Sequence, residues 1–534
     1  MNCSLTRSGI FIKFSEFESI YKDDHLLVIN ALIKKFRLKH IAFKTHTITL
    51  NGFKTTRING SKYLKLTRFG FFDLWKNTTH INLAGHKLTQ DSFIIDNQIK
   101  PPKPTNRLTW TGKFKANQQI CFDQIMKTRY DPPNVKKGSS GLILNLEAGQ
   151  GKTFVAMGLI NAIKMKTMIV THTKTILYQW TTALTQYFPN AKIGIYHGEN
   201  HTDGDIIVSI INSLLLDEIT FGKKIYKNPL DYFSQFGMLI VDESHEYCAQ
   251  GRGSLFWKFQ CPYMLGLSAT PAERPDAFDP YVHWHLGSVI DARTLENYSE
   301  KDIPFKGTVS MIKYLGPTPF TESIINEEHE MVNSAATINR MIEDPYRLHI
   351  IAEQLQTLIE AHHNTFIFAD RRDYLDKIKS YLNHINIANN IVVSPEDEEK
   401  VMKIVGGASS TDVQLARDTA IVILTTYQYA GTGCSIPKMD AVILATPRKS
   451  KSRQYINRIF RLDSDYSIER KIIDIVDWMT IYKSQWYKRK KYYSEKNYPI
   501  KETKINWESI QLIPLLADQD ADFKSIHLKD TESD

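Results

Sequence analysis

Between Gly141 and Pro271 the chain repeats one pattern. Short, nearly uninterrupted apolar runs (Gly141-Leu142-Ile143-Leu144, Thr167-Met168-Ile169-Val170, Asp205-Ile206-Ile207-Val208 and Met238-Leu239-Ile240-Val241) alternate with segments of helical periodicity. A strand that is apolar on both faces must be covered on both, and a parallel sheet flanked by helices supplies that cover. The texture returns after Phe305, at Thr365-Phe366-Ile367-Phe368, Ala420-Ile421-Val422-Ile423-Leu424 and Ala441-Val442-Ile443-Leu444, between helix-like stretches such as Tyr346 to Ile359. The expected fold is α/β, with two tandem parallel-sheet domains of shared architecture.

A length of 534 residues exceeds what one hydrophobic core usually serves, so further division is expected. Over residues 46 to 67, Asn51-Gly52 and Asn59-Gly60 punctuate short β-prone segments and predict a small antiparallel meander. Pro101-Pro102-Lys103-Pro104 then reads as an extended linker. The resulting division is an N-terminal accessory domain (1–105), a first α/β domain (106–300), a second (301–484), and a basic-aromatic segment with an acidic tail (485–534). Residues 517 to 534, rich in Asp and poor in aromatics, read as a mobile tail.

No uncharged apolar run approaches the roughly 20 residues of a bilayer span, and the start lacks a basic-then-apolar leader, so a soluble intracellular chain without membrane contact is expected. The five cysteines are scattered and form no Cys-x-x-Cys pair, which suggests neither a disulfide framework nor a zinc site. His283, His285, His362 and His363 likewise lack a ligand spacing. The net charge of +9 is a weak indication of a polyanionic partner.

The first apolar run leads into Glu147-Ala148-Gly149-Gln150-Gly151-Lys152-Thr153 and then into a helix-like segment. Glycines let backbone amides approach phosphate oxygens, Lys152 can reach the outer phosphates, and the Thr153 hydroxyl can hold Mg2+. Ala148, Gly149, Gln150, Gly151, Lys152 and Thr153 are therefore the expected ATP contacts, although Leu146 stands where the full motif has its first glycine. Asp242-Glu243-Ser244-His245 ends the run Met238 to Val241, placing two carboxylates where a metal-binding acid (Asp242) and a water-polarising base (Glu243) would sit beside the phosphates. Ser268-Ala269-Thr270-Pro271 ends another run, and its hydroxyls could link hydrolysis to a nucleic-acid face. In Gln454-Tyr455-Ile456-Asn457-Arg458-Ile459-Phe460-Arg461, Arg458 and Arg461 are three apart, which places them on one helical face, and two guanidiniums so placed could stabilise a transferring phosphate.

Together these motifs resemble the superfamily 2 helicases over roughly Lys113 to Trp478, most closely those of large cytoplasmic DNA viruses, with phage UvsW and XPB-type enzymes as relatives. The resemblance implies two tandem RecA-like domains after a small β-containing N-terminal domain. It also implies an adenine-reading role for Gln118, and a nucleic-acid grip for Thr171-His172-Thr173-Lys174 and Gln179-Trp180. Gly406-Gly407-Ala408-Ser409, Thr425-Thr426 and Gly431-Thr432-Gly433-Cys434-Ser435 look like second-domain counterparts, with Gly433 taken as a nucleotide contact. Asn457 stands where the motif usually has glycine, and Ser435 where many relatives have aspartate.

The function so implied is ATP-dependent strand separation or transcript release, on DNA more than RNA, among viral transcription or replication proteins in the host cytoplasm or virion. An ATP-binding clamp, or an annealing factor that never unwinds, remains the alternative. Trp486-Tyr487-Lys488-Arg489-Lys490-Lys491-Tyr492-Tyr493 interleaves cations with rings, and reads either as a base-stacking, phosphate-contacting segment or as a basic helix lying over the second domain. Lys34-Lys35-Phe36-Arg37-Leu38-Lys39 reads as a solvated helix face.

Overall fold

The structure, a computed structural model, describes residues 1–43, 46–147, 149–221, 224–259, 261–269, 276–299, 305–326, 331–389, 395–431, 436–448, 452–461, 465 and 467–513. It divides into two compact units, Met1–Asp302 and Ile303–Asp534. Ala148, Thr270, Pro271, Gly433 and the acidic tail lie outside the described residues.

The first unit opens with a five-stranded sheet in the order Phe53–Ile58, Ser61–Leu66, Gly9–Lys13, Asn2–Thr6, Ile94–Asn97. One face of that sheet (Cys3, Leu5, Ile10, Ile12, Leu64, Leu66) forms a core with Phe17, Val28 and Leu32 of the helices Phe14–Tyr21 and His25–Lys35. Asn59 and Gly60 take positive φ of 47° and 76° and close the hairpin between Phe53–Ile58 and Ser61–Leu66, as two-residue turns require. The other expected turn is different. Residues 46 to 51 pair with Arg37–Phe43, not with the strand after Gly52, so no meander forms there. Gly52 is small for another reason: a Cβ would lie 2.5 Å from the Trp284 ring. The basic stretch from Lys34 is correspondingly split between a helix end and the strand Arg37–Phe43.

An eight-stranded sheet follows in the order Asn200–His201, Ile193–His197, Ile206–Ile210, Thr167–Thr171, Met238–Val241, Tyr263–Ser268, Gly141–Asn145, Val289–Asp291. All neighbours are parallel except Asn200–His201, and the central strands are buried on both faces, as their apolar runs demand. This topology brings the ends of Gly141–Asn145 and Met238–Val241 to one edge of the sheet, with Tyr263–Ser268 between them.

The second unit holds seven parallel strands in the order Val401–Lys403, Val422–Thr426, Thr365–Ala369, Ala441–Leu444, Arg470–Asp477, Gly307–Leu315, Ile500–Asn506. The fold is thus two RecA-like α/β domains with a small β-containing domain in front. The basic-aromatic segment forms the helix Lys483–Glu495, and three of its rings, Trp486, Tyr492 and Tyr493, are buried, while Tyr487 is exposed. Arg489 makes a two-bonded ion pair with Asp474 (both contacts 2.8 Å), and the Tyr493 hydroxyl donates to the same carboxylate at 2.8 Å. A buried carboxylate needs such partners, and Asp474 turns this face of the helix inward while Lys488, Lys490 and Lys491 stay in solvent.

Candidate active site

In the first unit, the strand Gly141–Asn145 runs through a loop into the helix Lys152–Ile163. Gly149 and Gly151 take φ of +83° and +88°, a region open to glycine at little strain, and this curls the loop. Lys152 Nζ donates to Leu146 O (2.9 Å) and Glu147 O (3.4 Å), so the ammonium is held at the centre of the curl. Leu146, at the position of the missing glycine, is buried and its N–H donates to Ser268 O. Gln118 braces the loop. Its Nε2 donates to Gln150 O at 3.2 Å, its Oε1 accepts from Lys115 N at 3.0 Å, and a Cβ on Gly151 would collide with Nε2 at 2.1 Å. Thr153 lies in the first helical turn, half-buried.

Asp242 and Glu243 follow the strand Met238–Val241. Asp242 Oδ2 accepts from Trp180 Nε1 (2.8 Å) and Oδ1 from Glu243 N (2.9 Å), which fixes the carboxylate. Glu243 has φ +47° and ψ 52°, a left-handed conformation that strains a residue bearing a Cβ by about 1–3 kcal/mol. His245 Nδ1 lies 3.0 Å from Ser268 Oγ and 3.5 Å from Glu243 Oε2, while its Nε2 lies 3.4 Å from Glu246. A continuous polar path therefore joins the acid box to the end of the strand Tyr263–Ser268.

Burial first, and the neighbouring Glu243 charge second, push the Asp242 carboxyl up to about 6, against the pull of Trp180 and Lys152. The Lys152 charge reaching Asp242 brings the two motifs into one electrostatic site. The donor set suits a divalent cation: a fixed carboxylate short of positive charge, with the Thr153 hydroxyl on the phosphate-loop helix, offers the hard oxygens that Mg2+ takes.

Because the folded carboxyl binds its proton more tightly than an unfolded one near 3.8, ionising it destabilises the metal-free fold as pH rises through the window from about 4 to 6. Asp242→Asn, which removes that penalty, should raise the melting temperature of the metal-free protein by about 2–6 °C at pH 7.5, with the gap closing near pH 4. Thermal melts across that range check this. A wild type more stable than the variant above pH 6 would contradict the burial argument.

In the second unit, the helix Ser452–Ile456 passes into a 3-10 turn, Asn457–Ile459, and ends there. Arg461 lies beyond the turn, so the two arginines do not share a helical face as expected. Asn457, in place of the usual glycine, accepts a hydrogen bond from the Tyr492 hydroxyl, tying this turn to the helix Lys483–Glu495. Arg458 is buried and its Nη2 donates to Ala430 O at 2.7 Å, within Tyr427–Gly431. Ser409 caps the helix Ser410–Thr419, and Thr425 and Thr426 end the strand Val422–Thr426, both buried.

The geometry draws in three further residues: His245, to which sequence reasoning assigns no role, and Trp180 and His172, expected on a nucleic-acid grip. Trp180 is 2% exposed and orients Asp242. His245 and His172 stand beside Glu243 and Glu246, and burial lowers the His172 pKa. The fourth position of Asp242-Glu243-Ser244-His245 was the available signal for His245; none pointed to Trp180 as a partner of Asp242.

Among the described residues no helix is long and apolar enough to cross a membrane. A family model described as the type III restriction enzyme res subunit matches residues 111–273. A protein of African swine fever virus (isolate Tick/Malawi/Lil 20-1/1983), named as an ATP-dependent RNA helicase, is 31% identical over 526 residues, covering 94% of this chain and 92% of its own length. A protein of Acanthamoeba polyphaga mimivirus with the same kind of name is 26% identical over 419 residues (77% of this chain, 73% of that one). The DNA 3'-5' translocase XPB2 of Sulfurisphaera tokodaii is 23% identical over 387 residues (67% and 83%). The chain belongs with these viral proteins to the superfamily 2 helicases, and is an ATP-dependent helicase.

Proposed function

We propose that this helicase hydrolyses ATP-Mg2+ and uses the energy to move along one strand of nucleic acid, DNA in preference to RNA, separating strands or releasing transcripts during viral transcription or replication in the host cytoplasm. Ala148 to Thr153 cradle the phosphates, and Thr153 and Asp242 are the residues that would hold Mg2+, which would supply positive charge against the phosphates. Glu243 polarises the attacking water, Gln118 sets the loop against the base, Gly433 contacts the nucleotide, and Arg458 and Arg461 supply guanidinium charge to the transferring phosphate.

One observation carries the reading of a motor over that of an ATP-binding clamp. The Ser268 hydroxyl, 3.0 Å from His245 Nδ1, lies on a polar path to Glu243 and at the end of a strand that leads to the Ala269-Thr270-Pro271 segment. Such a path lets hydrolysis at Glu243 be felt outside the nucleotide site. Ser268→Ala should therefore leave nucleic-acid-stimulated ATPase largely intact and slow strand displacement about tenfold, the scale of 1–2 kcal/mol of lost coupling. The assay uses tailed DNA duplexes and RNA-DNA hybrids side by side. Equal loss of both activities would remove the coupling role, and a wild type that displaces neither substrate would favour the clamp.

A further inference from the structure

The net charge of the chain is not spread along it. Residues 1–105 carry 17 Lys and Arg against 7 Asp and Glu, a surplus of ten, whereas the remaining residues carry 50 against 51. The whole +9 thus resides in the N-terminal region.

The five-stranded sheet of that region shows where part of the surplus is displayed. Its strands alternate, so the residues between those of the apolar face point the other way. Register then builds two rows across neighbouring strands: Lys54 opposite Lys65 opposite Phe11, and Thr56 opposite Tyr63 opposite Lys13. Lys13 and Lys54 are exposed, and Phe11, Tyr63 and Lys65 are partly so. Cations and rings therefore interleave on a face opposite the helix-packed one.

Lys54 and Lys65 are an unneutralised pair: like charges directly opposite each other destabilise a strand pair, and among the described residues neither lysine makes an ion pair. Both ammonium groups lie over the Trp257 ring, 5.2 and 5.0 Å from its centre, which offsets part of that repulsion without neutralising it. Burial, then the Lys54 charge, pushes the Lys65 pKa down to about 8. A phosphodiester beside the two would relieve their repulsion; the Lys65 ammonium also lies over the Phe11 ring, 5.4 Å from its centre, and the partly exposed Tyr63, packed edge-on to Phe11, offers a ring on which an unpaired base stacks. A duplex keeps its base faces covered, so this ring favours a single strand.

We propose that this sheet face, through Lys13, Lys54, Lys65 and Tyr63, docks single-stranded nucleic acid, a second grip on the strand contributed by the N-terminal sheet. The proposal rests on the helicase reading for the presence of such a strand. Its contacts are to phosphates and base faces, so DNA and RNA bind it alike.

The test uses the full-length protein, wild type and the triple variant Lys13→Gln, Lys54→Gln, Lys65→Gln, with fluorescent oligo-dT and oligo-rU followed by anisotropy across a salt series. At moderate salt the triple variant should bind both oligonucleotides about tenfold more weakly, and the slope of log affinity against log salt should fall by about 2, as expected when three phosphate contacts to a single strand are lost. Tyr63→Ser should weaken oligo-dT binding about fivefold while leaving the salt slope unchanged. Unaltered affinity and slope would overturn the proposal. So would loss on blunt duplex equal to that on single strands together with no effect of Tyr63→Ser, which would indicate a duplex-phosphate surface. If the triple variant does not fold, Lys13→Gln alone, at an exposed position with no ion pair among the described residues, should still show about one third of the slope change. The underlying reading fails separately: a wild type whose ATPase is not stimulated by either oligonucleotide would remove the helicase activity while leaving the binding comparison intact.

Discussion

Glu243→Gln is expected to lower the ATP turnover number about 10²–10⁴-fold, the usual contribution of a positioned general base, while nucleotide affinity stays intact or improves. The substitution keeps size and the backbone conformation, which is fixed by the bond from Glu243 N to Asp242 Oδ1 at 2.9 Å. It also removes the second-largest influence raising the Asp242 pKa, so Asp242 is more fully ionised at neutral pH and better able to hold a cation. Binding and chemistry should thus part: a fluorescent nucleotide titration with Mg2+ shows affinity at or above that of wild type, and single-turnover hydrolysis shows the loss. Lys152→Ala contrasts with it. That change removes the cation at the centre of the phosphate loop, so affinity and turnover fall together. Turnover by Glu243→Gln within tenfold of wild type would move the base assignment elsewhere, His245 being the nearest candidate at 3.5 Å from the Glu243 carboxylate.

The parts of this molecule that were legible in its sequence are those where local chemistry and global fold make the same demand. Apolar runs such as Met238 to Val241 can be satisfied only inside a covered parallel sheet, and the glycines of Gly149-Gln150-Gly151 reach the left-handed region without strain. What escaped was decided by distant partners. Asn51-Gly52 carries the local signature of a hairpin turn, but Gly52 answers to Trp284, more than 200 residues away, and the strand before it pairs backwards. Nothing near Glu243 foretells a positive φ, because the strain is held by contacts to Asp242 and the turn that follows. Trp180 is itself among the residues expected to meet nucleic acid, yet its indole N–H is claimed by Asp242. The helix Lys483–Glu495 has a composition that fits either solvent or nucleic acid, and Asp474, on the strand Arg470–Asp477, decides for burial of the face that carries Arg489 and Tyr493, leaving Tyr487 exposed.

Arg458→Ala is expected to lower turnover about 10³-fold or more, the effect of removing a guanidinium that stabilises charge on the transferring phosphate. Arg461→Ala should cost less, since Arg461 lies past the end of the turn Asn457–Ile459 and is only half-buried. A structural role for Arg458 must be separated from a catalytic one, because its Nη2 also donates to Ala430 O at 2.7 Å and so steadies the helix Tyr427–Gly431. Arg458→Lys makes the separation. Lysine keeps the charge but offers a compact ammonium instead of a planar fork, so it cannot hold the carbonyl and a phosphate oxygen in the same geometry. If the guanidinium acts on phosphate, the lysine variant recovers part of the turnover, ATP affinity stays near wild type, and hydrolysis remains depressed in the alanine variant even well below its melting temperature. If Arg458 only steadies the fold, turnover in the two variants follows their melting temperatures, and hydrolysis measured well below the melt returns to wild-type rates. That second pattern would leave Arg458 as a support for Tyr427–Gly431, and the phosphate-stabilising charge would have to come from another cation of the second unit.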